Sequence, residues 1–551
     1  MTSAAIPRAR LQDHTERGEI PHEGTFDGAL ERPVSRVILA CAATLLVVHA
    51  VLVWHLRIPG ITTGNDDAWY LLLARSLRAG GYEDAFIVGS PAHSQYPPVY
   101  PFFLALAGIL TGDRLEAILA LSAVISALTF VAMFDAVRRL WSPSLALMAL
   151  ALVALNPRLI VGAGQIRSET LFLALTMLSL WALARSPVAE RRGLAMGASV
   201  AAALTRTVGM TLPIALLLHW AIRRRTRTLV AFAAFSAITA WAWLAWSIWS
   251  PDKSVSSSYI VQAARSIDRM GRDGPEWPAR TFNAVLTYFS EFIPYSLPLP
   301  TISGTIVDNA ALVLLAGVLG AVGMIVMWRG WHAAALYVIV TLALLFVWPW
   351  RVQRFVEPLL PFMLVALLLG ASTIGARRSA RWAFVAPLLL TVLIGSTAIA
   401  RTANLVAERR GCDRSDPGRS PGCFSAEQRG FFALADYVAT STPDSAVFLT
   451  PKAATLAYLT DRKVDMVKPV IVADSTRFAN YLLAVGITHV VLSNLVITDR
   501  KFTRELAGVC QNLELASEFP PSSYLFRVRA DSSTARSEAA CNAVRAALAN
   551  W

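Results

Sequence analysis

The sequence predicts a polytopic α-helical membrane protein with about eleven crossings, followed by a small α/β domain outside the bilayer. Three observations carry this. Of 551 residues, 55% are hydrophobic and 16% charged, well below the ~25% charged content of soluble domains. Apolar runs of about 17–22 residues, the length that crosses a bilayer core, recur along most of the chain. Arginine clusters at 138–139, 185–192, 223–227 and 377–381 all fall on one side of the alternating runs. The positive-inside rule makes that side the cytoplasm. The net charge of +13 therefore orients a membrane protein, and no RNA- or DNA-binding motif accompanies it, so nucleic acid is not an expected partner.

Residues 1–36 are polar, mixed in charge and sprinkled with Pro and Gly, as a disordered cytoplasmic tail is. The run Val37–Trp54 lacks a small-x-small cleavage site and follows a long tail, so it reads as a retained first helix. Residues 55–114 then form a first outer loop. It carries a helix over Ala68–Leu77, a glycine break at Gly80-Gly81, and an apolar stretch Pro97–Ile109 too short to span, which suits an interfacial or re-entrant segment.

The expected crossings that follow are Leu115–Val137, Ser144–Asn156, Ser168–Ala184, Gly193–Leu204, Val208–Ile222 and Leu229–Trp249. Residues 250–302 form a long outer loop with Tyr259, Arg265, Arg272, Trp277, Arg280, Tyr288 and Tyr295. The last crossings are Ile306–Trp328, Ala333–Trp348, Phe355–Thr373 and Phe384–Arg401. The transmembrane domain is thus 37–402. The Trp residues at 241, 243, 246, 249, 348 and 350 suit an interfacial belt.

Residues 403–551 change character. Ala426–Thr440 and Arg477–Val485 read as helices; Ala446–Thr450, Thr488–Leu492 and Tyr524–Val528 read as strands. Four of the five cysteines lie here, and an even number in an oxidising compartment implies disulfides. Three pairings are possible. Cys412–Cys423, which closes a Pro/Gly/Arg-rich loop, and Cys510–Cys541 are expected; the absence of CxxC spacing or a nearby His disfavours zinc.

Ionisable groups where a chain leaves the bilayer point to function. Asp66-Asp67 stand there, after Gly64-Asn65, although Asn65 or Asp66 also suits a helix cap. On a helix the two carboxylates diverge by about 100° and cannot share a role. Asp66 is assigned the base facing the cavity, and Asp67 a contact to the outer loop or a cation, subject to the helix register. Arg167, Arg206, Arg351 and Arg354 gather on the same side, with Glu169 and Glu357. Arg351 and Arg354 also suit snorkelling anchors, and Glu169 also suits a cap or a partner of Arg167. His93, His219 and His332 are scattered and suggest no metal site, although His93 could join a carboxylate around a cation.

One chemistry uses a carboxylate and several arginines at a lipid headgroup: sugar transfer from a polyprenyl phosphate. The departing phosphate needs fixed cations in a dry site, and Arg matches phosphate oxygens in a two-pronged way. The acceptor hydroxyl needs a base, and a covering loop such as 250–302 excludes water.

Four motifs resemble the GT-C glycosyltransferases, within them the lipid A aminoarabinose transferase, protein O-mannosyltransferase and rhizobial galacturonosyltransferase group. They are Asp66-Asp67-Ala68-Trp69-Tyr70, Tyr96-Pro97-Pro98-Val99-Tyr100-Pro101, Leu204-Thr205-Arg206, and Arg354-Phe355-Val356-Glu357-Pro358-Leu359-Leu360-Pro361. The resemblance covers about residues 35–400 and implies Asp66 as the base and Arg206 on the lipid phosphate. Tyr70 and Tyr96, within two of the motifs, are expected at the substrate. The family's acidic-Lys pair is Gln95-Tyr96 here, which removes one cation and one carboxylate that would ligate a divalent metal. No cofactor is called for, and a divalent cation stays compatible with the loop.

The expected function is therefore a membrane glycosyltransferase of a bacterial inner membrane. The N-terminus is cytoplasmic and the C-terminal domain periplasmic. The donor is a polyprenyl-phosphate sugar and the acceptor a lipid, glycan or protein. A flippase for lipid-linked saccharides predicts internal repeats and mid-membrane charges, which the sequence does not display. A non-catalytic envelope scaffold is the third reading; intact Asp66-Asp67 argues against it.

Overall fold

The computed structural model describes residues 34–184, 190–250, 259–272, 276–300, 310–466, 475–495, 497–529 and 534–549. Most of the expected N-terminal tail, Arg185 and parts of the 250–302 loop lie outside these residues.

The chain is mostly helical, and it is a multi-pass membrane protein. Among the described residues six helices are long and apolar enough to cross a bilayer: Arg36–Leu56, Leu115–Leu140, Thr226–Trp249, Ala310–Gly330, Gln353–Ala376 and Trp382–Glu408. A seventh results if Pro143–Ala154 and Pro157–Ala163, bent by 62°, count as one span. The length criterion therefore gives six or seven, not eleven. Other expected crossings form shorter apolar helices, Ser168–Leu183, Thr207–Ile222 and His332–Val347, or the 12-residue Arg192–Ala203. A span needs about 20 residues in a straight helix, and these helices fall short of that length.

The helices pack closely. A Cβ at Gly323 would sit 1.6 Å from the Ala366 carbonyl oxygen, and one at Gly370 would sit 1.9 Å from that of Leu319. Only glycine lets the helices Ala310–Gly330 and Leu360–Ala376 cross at backbone contact. His49 ties three helices together. Its Nδ1 donates to the Ala154 carbonyl at 2.9 Å, so its Nε2 accepts from the Ser126 hydroxyl at 2.9 Å.

In the loop expected to lie outside, the helix spans Asp66–Arg78, starting two residues earlier than expected, and the Pro-initiated segment forms the helix Val99–Thr111. The C-terminal region builds a five-stranded sheet. Its strands are β1 (Val447–Leu449), β2 (Lys463–Asp465), β3 (His489–Ser493), β4 (Leu513–Phe519) and β5 (Ser523–Val528). The order is β2-β1-β3-β5-β4; β2, β1 and β3 are parallel, β5 runs antiparallel to β3, and β4 runs antiparallel to β5. β2 and β4 had not been read from the sequence. The helix Ala426–Ser441 opens on a capping box of Ser425 and Gln428. Both expected disulfides, Cys412–Cys423 and Cys510–Cys541, are formed.

The sheet does not stand apart from the outer loop. Val464 of edge strand β2 donates to the Phe86 carbonyl at 3.0 Å, and Val88 donates back to Val464 at 3.1 Å. This is strand addition to an open edge, which satisfies backbone groups that would otherwise be bare. Trp69 and Tyr70 share one buried apolar cluster with Phe431, Leu434 and Phe448. Each such large side chain contributes about 1.5–3 kcal/mol when fully buried. The helix bearing Asp66 is thereby wedged between the membrane helices and the C-terminal sheet.

Candidate active site

Asp66 is the first residue of its helix. Asn65 before it has φ +77°, a left-handed conformation that Asn tolerates. Asn65 makes no side-chain cap, contrary to expectation. Its Oδ1 instead accepts from the Thr455 amide at 3.0 Å, so the C-terminal domain pins the turn that presents Asp66.

The two adjacent aspartates face different ways, as a helix requires. Asp67 is buried, 5% exposed, and its carboxylate accepts from the amides of Thr62 and Ala68. Burial pushes the Asp67 carboxyl above its ordinary range, against the pull of those hydrogen bonds. It closes the Thr62–Asp67 turn and does not line the cavity described below. Asp66 Oδ2 lies 2.7 Å from Arg354 Nη2, and its Oδ1 accepts from the Tyr96 hydroxyl at 2.8 Å.

Arg354 comes from the 3-10 segment Gln353–Leu359 that precedes the helix Leu360–Ala376. Arg206 follows the helix Arg192–Ala203, in a turn held by Thr205 Oγ1 donating to the Ala201 carbonyl at 2.7 Å. Arg206 Nη1 is 2.7 Å from Glu169 Oε1 and donates to Ser168 Oγ at 2.8 Å. Ser168 in turn meets the Tyr70 hydroxyl at 3.1 Å. Glu169 Oε1 also stands 3.8 Å from Arg354 Nε and 3.9 Å from Arg167 Nη2. Arg167 further faces Glu357 at 3.7 Å. Buried carboxylates and guanidiniums thus alternate, the arrangement that buried charge needs.

These groups border a cavity of about 270 Å³, a size suited to a small polar group and the start of a chain. Its lining joins a polar group, Asp66, Tyr70, Tyr96, Arg206, Tyr259 and Arg354, to an apolar one that includes Val208, Ile214, Leu244, Val340, Leu344 and Phe355. Trp241 and Trp348, expected in an interfacial belt, line it as well. Tyr96 packs against Tyr70 and Tyr259 at ring separations of 4.7 and 5.8 Å. Burial raises all three phenols above their ordinary range, so they keep their protons.

The remaining candidates lie off the cavity wall. Glu169 and Arg167 stand behind it, bracing the lining arginines. Arg351 is exposed and donates to the Arg280 carbonyl at 3.3 Å. His93 does not join a cation site; it is fully buried against Asp84. Among the described residues no three His, Cys, Asp or Glu side chains form a metal-binding set. Ser168, which links Tyr70 to Arg206, was not singled out in the sequence. Its only signal was its place between Arg167 and Glu169. Nothing local marks Trp241 or Trp348 as lining residues, because that depends on how helices turn against each other.

Residues 95–249 match the model of the dolichyl-phosphate-mannose-protein mannosyltransferase family. Among solved structures, the chain is similar to ArnT from Cupriavidus metallidurans bound to undecaprenyl phosphate. Identity is 16%, coverage 91% of this chain and 99% of that one, and the TM-score 0.53. It is also similar to the archaeal oligosaccharyltransferase AglB from Archaeoglobus fulgidus in complex with an inhibitory peptide and a dolichol-phosphate. There identity is 11%, coverage 87% and 73%, and the TM-score 0.54. No curated protein matches the chain. At such identities the likeness is one of fold: the chain has the fold of the GT-C superfamily of glycosyltransferases.

Proposed function

We propose that this GT-C-fold membrane protein moves a sugar from a polyprenyl-phosphate donor to a hydroxyl acceptor at the extracytoplasmic face of a bacterial inner membrane. The observation that carries the reading is the cavity itself: one carboxylate and two guanidiniums share a lining that is otherwise largely apolar. An isoprenoid chain suits the apolar wall. Arg206 and Arg354 would hold the phosphate, whose charge grows as the bond to the anomeric carbon breaks. Asp66 would take the acceptor proton as the new bond to that carbon forms. The polyprenyl phosphate leaves with the bonding electrons. Glu169 and Arg167 brace the arginines, and Asp67 shapes the loop; neither Asp67 nor Arg351 is given a chemical role here.

Residues 37–402 then form the catalytic membrane domain, and 403–551 an extracytoplasmic domain that fixes the Asp66 turn and whose disulfides suit an oxidising compartment. The acceptor is a lipid, glycan or protein of the envelope.

The test is Asp66→Asn. It should lower transfer by about 10²–10⁴-fold while undecaprenyl phosphate still binds the purified variant. Wild-type turnover in that variant would reject Asp66 as the base.

A further inference from the structure

Tyr96 precedes Pro97 and Pro98, which have no N–H. Its own amide is the last donor before the helix Val99–Thr111, and it goes to His93 Nε2 at 2.8 Å. A ring nitrogen that accepts carries no proton, so neutral His93 is protonated at Nδ1. That nitrogen donates to Asp84 Oδ1 at 2.8 Å, and the same oxygen accepts from Trp69 Nε1 at 2.7 Å. The side chains of His93 and Asp84 are wholly buried. The His93 ring also stacks on that of Tyr96, with centroids 5.3 Å apart and planes at 13°. The Tyr82 hydroxyl donates to the Tyr96 carbonyl at 2.7 Å. Tyr96 is therefore gripped at its amide, its carbonyl and its ring face, while its hydroxyl reaches into the cavity and donates to Asp66.

Neither His93 nor Asp84 lines the cavity, so they do not touch substrate. A buried histidine–carboxylate pair is costly to maintain, and among the described residues Asp84 Oδ2 has no hydrogen-bond partner. Both ring nitrogens of His93 are engaged, one on Asp84 and the other on the amide of Tyr96, the residue that orients Asp66.

We propose that Asp84 and His93 are positioning residues for sugar transfer. They hold the Tyr96 hydroxyl as the donor that keeps Asp66 aimed at the acceptor when Arg354 turns from Asp66 to the phosphate. The inference rests on the transfer reading above. Asp66 has two donors at rest. Once Arg354 neutralises the leaving group, Oδ2 is open to the acceptor hydroxyl and Tyr96 alone fixes the carboxylate. Losing that hold affects the transition state more than donor binding, so it shows in kcat and not in KM.

A double-mutant cycle tests this with His93→Phe, which can still stack but loses both hydrogen bonds, Tyr96→Phe, and the two combined. His93→Gln is the conservative control, since its amide can accept from Tyr96 and donate to Asp84. The donor is undecaprenyl phosphate bearing a neutral hexose, a uronic acid or an amino pentose, whichever the wild type consumes. Release of undecaprenyl phosphate is followed by mass spectrometry. Each single Phe variant should lose about 10–100-fold in kcat with donor KM changed less than about twofold. The combined variant should match Tyr96→Phe, and His93→Gln should recover most of the loss. Multiplying losses, or wild-type kcat in His93→Phe, would overturn the proposal. If His93→Phe does not fold, Asp84→Asn replaces it in the cycle; if neither folds, the pair is a folding element and the proposal is rejected. Asp66→Asn is run alongside. An active Asp66→Asn defeats the transfer reading itself, whereas an inactive one beside an unaffected His93→Phe defeats only the positioning role.

Discussion

Arg354 Nη2 lies 2.7 Å from Asp66 Oδ2, so the proposed base and one proposed phosphate cation neutralise each other. An ion pair of this kind fixes the direction in which both groups point. It also means that an arriving phosphate competes with Asp66 for the guanidinium. Binding the donor and freeing the base would then be one event.

That coupling makes Arg354 hard to replace. Its guanidinium spans Asp66 and Glu169, which a lysine ammonium, a single point charge, cannot do. Arg354→Lys should keep the site's net charge yet lose about 10-fold or more in kcat/KM. Steady-state kinetics with the consumed donor checks it; a Lys variant at wild-type efficiency would show that charge alone suffices.

Glu169 is expected to matter through stability. It neutralises Arg206 at 2.7 Å, and removing one partner of a buried pair costs about 3–5 kcal/mol. Glu169→Gln should lower Tm. Undecaprenyl phosphate should raise the variant's Tm by more than it raises that of wild type, since an anion then replaces the lost carboxylate. Thermal melts with and without the lipid measure the difference.

The parts of this molecule that composition encodes were legible. Long apolar runs and one-sided arginines announce membrane helices, and Asp66, Arg206 and Arg354 stood out as charges at membrane depth. The lengths of the helices were not, because apolar runs of similar appearance fold into helices as different as the 12-residue Arg192–Ala203 and the 26-residue Leu115–Leu140. Three-residue β2 gives no periodicity to read, and a register shift between Leu515 and Ser517 breaks the alternation of β4. The split between Asp66 and Asp67 followed from helix geometry, but the partners of each did not. Thr455, Tyr96 and Arg354 reach Asn65 and Asp66 from distant segments, and only tertiary packing brings them there. The Asp84–His93 pair was invisible for the same reason.

In the C-terminal domain Lys452 is 5% exposed. Burial depresses its pKa, against the pull of Asp499, Asp66 and Asp67. The unfolded chain keeps that proton to higher pH than the folded one, so this group's penalty is full at pH below the folded value. It is relieved as pH rises through the folded value toward the ordinary 10.5. Lys452→Met should therefore raise Tm, and the gain should shrink as pH rises toward 10.5. A gain that is constant or grows with pH would contradict the assignment.

Cys510–Cys541 joins residues 31 apart in sequence, and closing such a loop is worth roughly 3–4 kcal/mol in the chain-entropy model. Cys510→Ser with Cys541→Ser should destabilise the C-terminal domain by that order. In wild type, alkylation without reduction should label Cys41 alone, the free cysteine. Peptide mapping reads this directly, and labelling at four further positions would contradict both bonds and the oxidising location.

The central claim is that Arg206 and Arg354 receive a lipid-borne phosphate in the cavity beside Asp66. Its most direct test is the affinity of undecaprenyl phosphate, titrated by native mass spectrometry, for wild type and for the paired variant Arg206→Gln/Arg354→Gln. Binding to wild type with at least about a tenfold loss in the variant, beyond 1.4 kcal/mol, is the predicted result. Equal binding by the two proteins, or none by wild type, would contradict it.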